Sequence, residues 1–188
     1  ALNKPMETIK FNILATANLL KLSSRNKIKR IIFASSIYAN SSQGGFYRCS
    51  KRAAEDYIEE FQKRFGIDFS ILRYGSLYGP RSDMRNGIYC FIHEAMTKKK
   101  MIFKGKADSI REFIHVEDAA ECSVEILKPN YANQHIVLTG HQLMTIEELL
   151  KMIAEILIDK DIQIRYNPES ADAHYEMSPY TFNPKYGK

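Results

Sequence analysis

The 188-residue chain contains no tryptophan, three cysteines and only nine glycines. Cys49, Cys90 and Cys122 are odd in number and widely spaced, and no CxxC pair occurs. This argues against a disulfide framework and for a reducing compartment, so a cytoplasmic location is expected. The five histidines lack metal-ligand spacing; His135 and His141, for example, are six apart and do not share a helix face. No metal site is expected. Long apolar runs are missing as well. None approaches the roughly 20 residues of a membrane-spanning helix, so no membrane partner is expected. The opening stretch, ALNKPMETIKFN, lacks a secretory-signal layout and does not begin with methionine.

What remains is ordinary for a globular protein: 45% hydrophobic and 26% charged residues, in a length that suits one domain or two small ones. The formal net charge of +5 suits an anionic partner, either a phosphorylated small molecule or a nucleic acid. The densest basic run, Lys98-Lys99-Lys100, closes an apolar segment. Cations there complement a helix C-terminus, so no nucleic-acid partner is expected.

Periodicity predicts a helix over 5–24, with Pro5 at an early position and Ile9, Ile13, Thr16, Leu19 and Leu20 at helical spacing. After a basic turn at 26–30, Ile31-Ile32-Phe33-Ala34 reads as a buried strand of a parallel sheet. Residues 37–46 read as a loop, and 47–65 as a helix stopped by Gly66. A strand over 69–73 follows, and then a turn-rich loop over 74–80. Helix, strand, helix, strand argues for an α/β sheet with crossover helices. Further on, helices are predicted over 87–98 and 116–127, with strands at 101–103 and 135–138. Thr145-Ile-Glu-Glu148 carries a capping-box pattern that opens another helix. The tail from Tyr166 to Lys188 reads as an extended or loop segment.

One constellation suggests chemistry. Tyr47 and Lys51 are i and i+4 on a predicted helix, about 5–6 Å apart at Cβ. An ammonium near a phenol favours the phenolate, which predicts a lowered Tyr47 pKa and a role in proton transfer. Ser35 and Ser36 follow a buried strand, where open α/β sheets place their ligands. YxxxK by itself is common and usually only decorates a helix surface; the serines at the strand end set this instance apart.

Five segments also carry a family likeness. In chain order they are Asn12 with Ala15-Thr-Ala-Asn-Leu-Leu20, Arg30-Ile-Ile-Phe-Ala-Ser-Ser36, Tyr47-Arg-Cys-Ser-Lys51, Leu72-Arg-Tyr-Gly-Ser-Leu-Tyr-Gly-Pro80, and Arg111-Glu-Phe-Ile-His-Val-Glu-Asp-Ala-Ala120. Together they resemble the short-chain dehydrogenase/reductase superfamily, and within it the extended branch of NAD-dependent sugar-nucleotide epimerases and dehydratases. The resemblance implies part of a Rossmann-type parallel sheet with a smaller C-terminal substrate-binding lobe. Residues 1–80, with 115–140 packing back on them, would be the second half of the NAD-binding domain, and 81–188 mainly the lobe. It implies a homodimer formed through helices of the Rossmann half.

The roles that the resemblance implies are specific. Tyr47 would be the acid–base group acting on a sugar hydroxyl. Lys51 would tune it and bond the nicotinamide ribose, and Ser36 would hold the substrate oxygen. Asn12, Ala34 and Tyr74 would join Tyr47 and Lys51 in the cofactor site. Ser76, which stands where the family often has Asn, would face the nucleotide sugar. Arg111 would bind its diphosphate, a task suited to a forked donor set. The plain structural alternative for Arg111 is a salt bridge to Glu117 or Asp118.

The family's Gly-rich turn, which seats the cofactor pyrophosphate on a helix N-terminus, has no counterpart in this sequence. The chain therefore looks like the second part of a longer protein, inactive by itself, and NADP stays open beside NAD. Ile37-Tyr38 follow Ser36 where dehydratases of this branch commonly carry an acidic pair, which favours an epimerase. The alternatives are an NADP-dependent keto-sugar reductase, a non-catalytic binding or regulatory protein of the same fold, or an inactive fragment. Binding proteins of this fold typically lose the Tyr or the Lys, and both are present here. Calorimetry on the 188-residue chain is expected to give a Kd for NAD weaker than about 1 mM, equivalent to about −4 kcal/mol at best. A micromolar Kd would contradict this.

Overall fold

A computed structural model describes residues 4–158 and 161–168. The expected first helix is three pieces: α1 (Pro5–Thr8), a π-helical stretch (Ile9–Leu14) and α2 (Ala15–Arg25). Pro5 opens it, where a missing N–H costs nothing. In the π stretch the Asn12 carbonyl accepts from Thr16 Oγ1 at 2.6 Å, and Asn12 Nδ2 reaches across to Ser50. These side-chain bonds accompany a widened turn that apolar spacing does not reveal.

Strand β1 (Arg30–Ser36) leads through a 3₁₀ turn (Ile37–Asn40) into α3 (Gly45–Phe65) and β2 (Asp68–Tyr74). Gly66 ends α3 in the left-handed conformation. After β3 (Ser76–Tyr78) come α4 (Gly87–Lys98), β4 (Lys100–Phe103), β5 (Ile110–His115), α5 (Val116–Glu125) and β6 (Gln134–Leu138). The described chain closes with β7 (Leu143–Thr145), α6 (Ile146–Ile156) and β8 (Gln163–Tyr166).

The main sheet has the order β1-β2-β6 and is parallel throughout. β1 and β2 run in register from Arg30 opposite Asp68 to Ser36 opposite Tyr74. Both faces are covered, so β2 is buried without interruption from Phe69 to Leu72. Phe69 and Ile71 join Leu20 of α2 and Ile58 of α3 on one face. Leu72 and Leu138 meet Ile126 on the other.

A second core joins α4, β4 and α6 through Ala95, Met101, Ile146, Leu149, Leu150 and Ile153. α6 starts at a complete capping box: Thr145 Oγ1 accepts from the Glu148 N–H at 3.2 Å, and the Glu148 carboxylate accepts from the Thr145 N–H at 2.7 Å. Around this core, β5 pairs with β3 in parallel and β7 in antiparallel, and β4 pairs with β8. Gly140 lets the chain pass close to β5, since a Cβ there would lie 2.1 Å from the Phe113 carbonyl oxygen.

Several segments differ from expectation. β3 lies inside the stretch expected to be a loop, and β5, β7 and β8 were not expected at all. All are short and owe their form to a partner strand rather than to their own alternation. Tyr166 ends β8 instead of starting an irregular tail. The rest of the expected tail, 169–188, lies outside the described residues.

Candidate functional site

The crevice is built where β1 ends and α3 begins. Tyr47, Lys51 and Glu55 follow each other at four-residue steps on α3, so they share a face. That face looks onto the last residues of β1. Lys51 Nζ donates to the Ala34 carbonyl at 2.8 Å and sits 4.9 Å above the Phe33 ring. The Ser36 hydroxyl lies near enough to the Tyr47 phenol to ease its ionisation, and it accepts the Tyr38 N–H at 3.3 Å. The fold thus brings Ser36, Tyr47 and Lys51 together; the spacing places both Ser35 and Ser36 toward the Tyr–Lys face, and the family resemblance singles out Ser36.

The electrostatics differ from the sequence expectation. Burial pushes the Tyr47 phenol above its ordinary 10.0, and the Ser36 hydroxyl only partly opposes this. Lys51 does not pull it down, because its Nζ is 5.8 Å from the Tyr47 ring centre and turned to the Ala34 carbonyl. The same burial pushes the Lys51 ammonium below its ordinary 10.5, against the charge of Glu55. Desolvation therefore favours the neutral form of both groups. Tyr47 stands as a phenol beside the Ser36 hydroxyl.

The other expected site residues are distributed unevenly. Asn12 acts on Tyr47 from behind: its Nδ2 donates to Ser50 Oγ, which donates to the Tyr47 carbonyl, both at 2.8 Å. Ala34 contributes the carbonyl that holds Lys51. Tyr74 is the register neighbour of Ser36, so its backbone borders the crevice. Its hydroxyl, however, lies 2.6 Å from Ser123 Oγ of α5, among residues of the opposite sheet face. Ser76 and Arg111 line one cavity of about 620 Å³ together with Tyr38, Asn86, Lys104 and Phe113. Arg111 is buried, and its Nη1 donates to the Ile110 carbonyl at 2.8 Å. Glu117 lies 3.8 Å from His115 Nδ1.

Tyr38 was not foreseen. It links the two places: it lines the cavity, and its ring meets that of Tyr47 edge-on at 6.4 Å. Gly44, with φ of 100°, allows this, since a Cβ there would come within 2.6 Å of the Tyr38 ring. Lys104 and Asn86 were not foreseen either, and no local pattern marks them. Glu55 was also missed, although its spacing from Tyr47 and Lys51 was legible. It is fully buried, accepts from Arg73 Nε at 3.1 Å and Nη2 at 2.6 Å, and accepts from the Ser35 hydroxyl. Among the described residues no group of three or more His, Cys, Asp or Glu could hold a metal ion. No helix among them is long and apolar enough to cross a membrane.

Comparison with known proteins identifies the family. The model of the NAD dependent epimerase/dehydratase family matches residues 1–139. The chain is 28% identical over 159 residues to a putative UDP-glucose 4-epimerase of Methanocaldococcus jannaschii, across 76% of this chain and 52% of that protein. It is 29% identical over 142 residues to a UDP-glucuronate 4-epimerase of Thermodesulfobacterium geofontis, across 69% and 44%. It superimposes with a TM-score of 0.83 and 24% identity on a UDP-N-acetylglucosamine 4-epimerase of Methanobrevibacter ruminantium solved with UDP-N-acetylmuramic acid, covering 98% of this chain and 66% of that one. The chain spans about half the length of the curated relatives it matches.

The direction of the Tyr47 shift can be read directly. Subtracting the alkaline absorbance titration of Tyr47→Phe from that of the unaltered chain isolates one phenol. Its midpoint is expected above 10.0, because the neutral form is favoured by burial. A midpoint below that value would restore the phenolate expected from the spacing.

Proposed function

The chain belongs to the NAD dependent epimerase/dehydratase family, and from that premise we propose that the intact protein is an NAD-dependent epimerase, or a dehydratase, acting on a nucleotide-activated sugar. The observation that carries this reading is the convergence of Ser36, Tyr47 and Lys51 at the carboxyl end of β1, beside a cavity that holds Ser76 and Arg111. The relatives named above favour UDP-sugars as the substrate class. The absence of an acidic pair after Ser36 favours the epimerase.

The residues present fit the nicotinamide-ribose end of NAD. Lys51 has three donors, and one is spent on the Ala34 carbonyl. The others suit ribose hydroxyls, beside the Tyr47 phenol and the backbone of Tyr74. Asn12 supports this end through Ser50 and the Tyr47 carbonyl. NAD, when bound, supplies a hydride acceptor and then a donor. The protein's part is proton handling. Ser36 holds the oxygen of the reacting sugar hydroxyl, and Tyr47 exchanges its proton as the sugar passes through a transient ketone. For Tyr47 to accept that proton its own must leave, and a cation drawn close to the phenolate oxygen favours this. Arg111 and Lys104 supply positive charge to a diphosphate in the cavity.

The division of labour follows the two cores. Among the described residues, those up to 80, with 115–140 bringing β6 to the main sheet, form the dinucleotide-binding half of this reading, and those from 81 on are mainly the substrate-binding lobe; 169–188 lie outside the described residues. Support comes from the sheet order β1-β2-β6 and from the separate core of α4, β4 and α6. Homodimer formation through the helices of the first half is supported by exposed Met6, Phe11, Leu19, Leu22, Tyr57 and Phe65. The free cysteines at 49, 90 and 122 suit a reducing, cytoplasmic setting.

The decisive experiment incubates the intact protein with NAD and a panel of UDP-, dTDP-, GDP- and CDP-sugars, and reads products by chromatography. Epimerised UDP-sugar is expected; no conversion of any member would overturn the reading. In the intact enzyme, Tyr47→Phe should lower kcat by about 10²–10⁴ with little change in KM, the cost of losing an acid–base group. Near-normal kcat would remove Tyr47 from that role. Arg111→Ala should weaken the nucleotide sugar by about 2–5 kcal/mol, read as a raised KM, with NAD affinity unchanged. If Arg111 merely pairs with Glu117 or Asp118, the variant loses Tm and keeps its KM.

A further inference from the structure

Glu55 is charged, fully buried and used by no step above. Its surroundings show what it could do. One oxygen accepts from Arg73 Nε and from the Ser35 hydroxyl; the other accepts from Arg73 Nη2 at 2.6 Å. Ser35 and Arg73 are register partners on β1 and β2. Each is followed directly by a residue of the crevice, Ser36 and Tyr74. On the helix side, Glu55 is one turn beyond Lys51, whose ammonium is bonded to the carbonyl of Ala34, the residue before Ser35. Three consecutive β1 residues, 34, 35 and 36, are thus met by Lys51, Glu55 and Tyr47 of one helix face. From β6, His135 Nδ1 lies 3.8 Å from the Glu55 carboxylate, and its Nε2 lies 3.0 Å from Glu59.

We propose that Glu55 is a positioning residue of the reaction site: one buried carboxylate that fixes the register of α3 against the ends of β1 and β2 and keeps Lys51 a cation beside Tyr47. That the site is catalytic rests on the function proposed above; the link from Glu55 to Lys51 does not. Arg73 pairs with this carboxylate from β2, Lys51 stands one helical turn before it on α3 with its ammonium on the Ala34 carbonyl, and His135 lies beside it on β6 with Glu59 beyond. The ammonium is itself desolvated, so the charge of Glu55 opposes its loss of a proton. A salt bridge with a purely structural task would hold the helix in place and leave the lysine's ionisation unaffected.

The test follows Lys51 by NMR of the 188-residue chain labelled at lysine Cε, with Lys51→Arg identifying the resonance, and records Tm for each variant. Glu55→Gln keeps the shape and removes the charge, and should move the Lys51 midpoint to lower pH. Ser35→Ala removes a hydrogen bond without a charge, and should lower Tm with the midpoint in place. An unmoved midpoint in Glu55→Gln, whatever its Tm, overturns the proposal. If Glu55→Gln does not fold, Glu55→Asp decides: it keeps a carboxylate but draws it off the Arg73 and Ser35 contacts, and an unmoved Lys51 midpoint overturns the proposal. Failure of the intact protein to convert any sugar nucleotide would remove the function and leave this titration standing, so the two can fail separately.

Discussion

The chain folds around a carboxylate that cannot reach water. Glu55 leaves α3 and takes hydrogen bonds from β1 and β2 at once. An isolated buried charge costs several kcal/mol, so this helix is stable only in the register that brings Ser35 and Arg73 to it. Apolar packing of Ile58 and Phe61 against Phe69 and Ile71 supplies most of the attraction between helix and sheet. That attraction is non-directional and would tolerate a slip along the strand, whereas paired hydrogen bonds to one carboxylate do not. The carbonyl–ammonium contact between Ala34 and Lys51 lies one residue away and reinforces the same register.

Once that register is set, the chemistry of the crevice is largely a matter of desolvation. Tyr47 and Lys51 are both shifted toward their neutral forms, the phenol upward and the ammonium downward. Against this stand a serine hydroxyl and a buried anion. Burial thus sets the direction of both shifts, and the hydroxyl and the anion oppose it.

The cavity beside the crevice has the opposite character. Arg111 and Lys104 bring positive charge, and Glu94 a negative one, to walls that are otherwise largely apolar, Phe113 among them. Tyr38 forms a shared wall between the two regions. In the loop between Ser36 and Tyr47, Gly44 lies against the Tyr38 ring more closely than any residue with a Cβ could.

Local chemistry alone determined a good part of this protein. The apolar run at 31–34 made β1, the face of Ala54 and Ile58 made α3, and Thr145 with Glu148 made the start of α6. The i, i+4 spacing of Tyr47 and Lys51 and the serines after a buried strand were legible for the same reason: each depends on neighbours within one or two turns. Tertiary structure decided the rest. β3, β5, β7 and β8 exist through strand partners that no short window contains, and the π stretch through contacts with a helix 38 residues away. Arg73 finds Glu55 across 18 residues, and Arg111 finds Ser76 across a cavity. The sign of the Tyr47 shift was set the same way. The pairing with Lys51 is a local feature, but desolvation sums over everything packed around the phenol, and here the sum is larger.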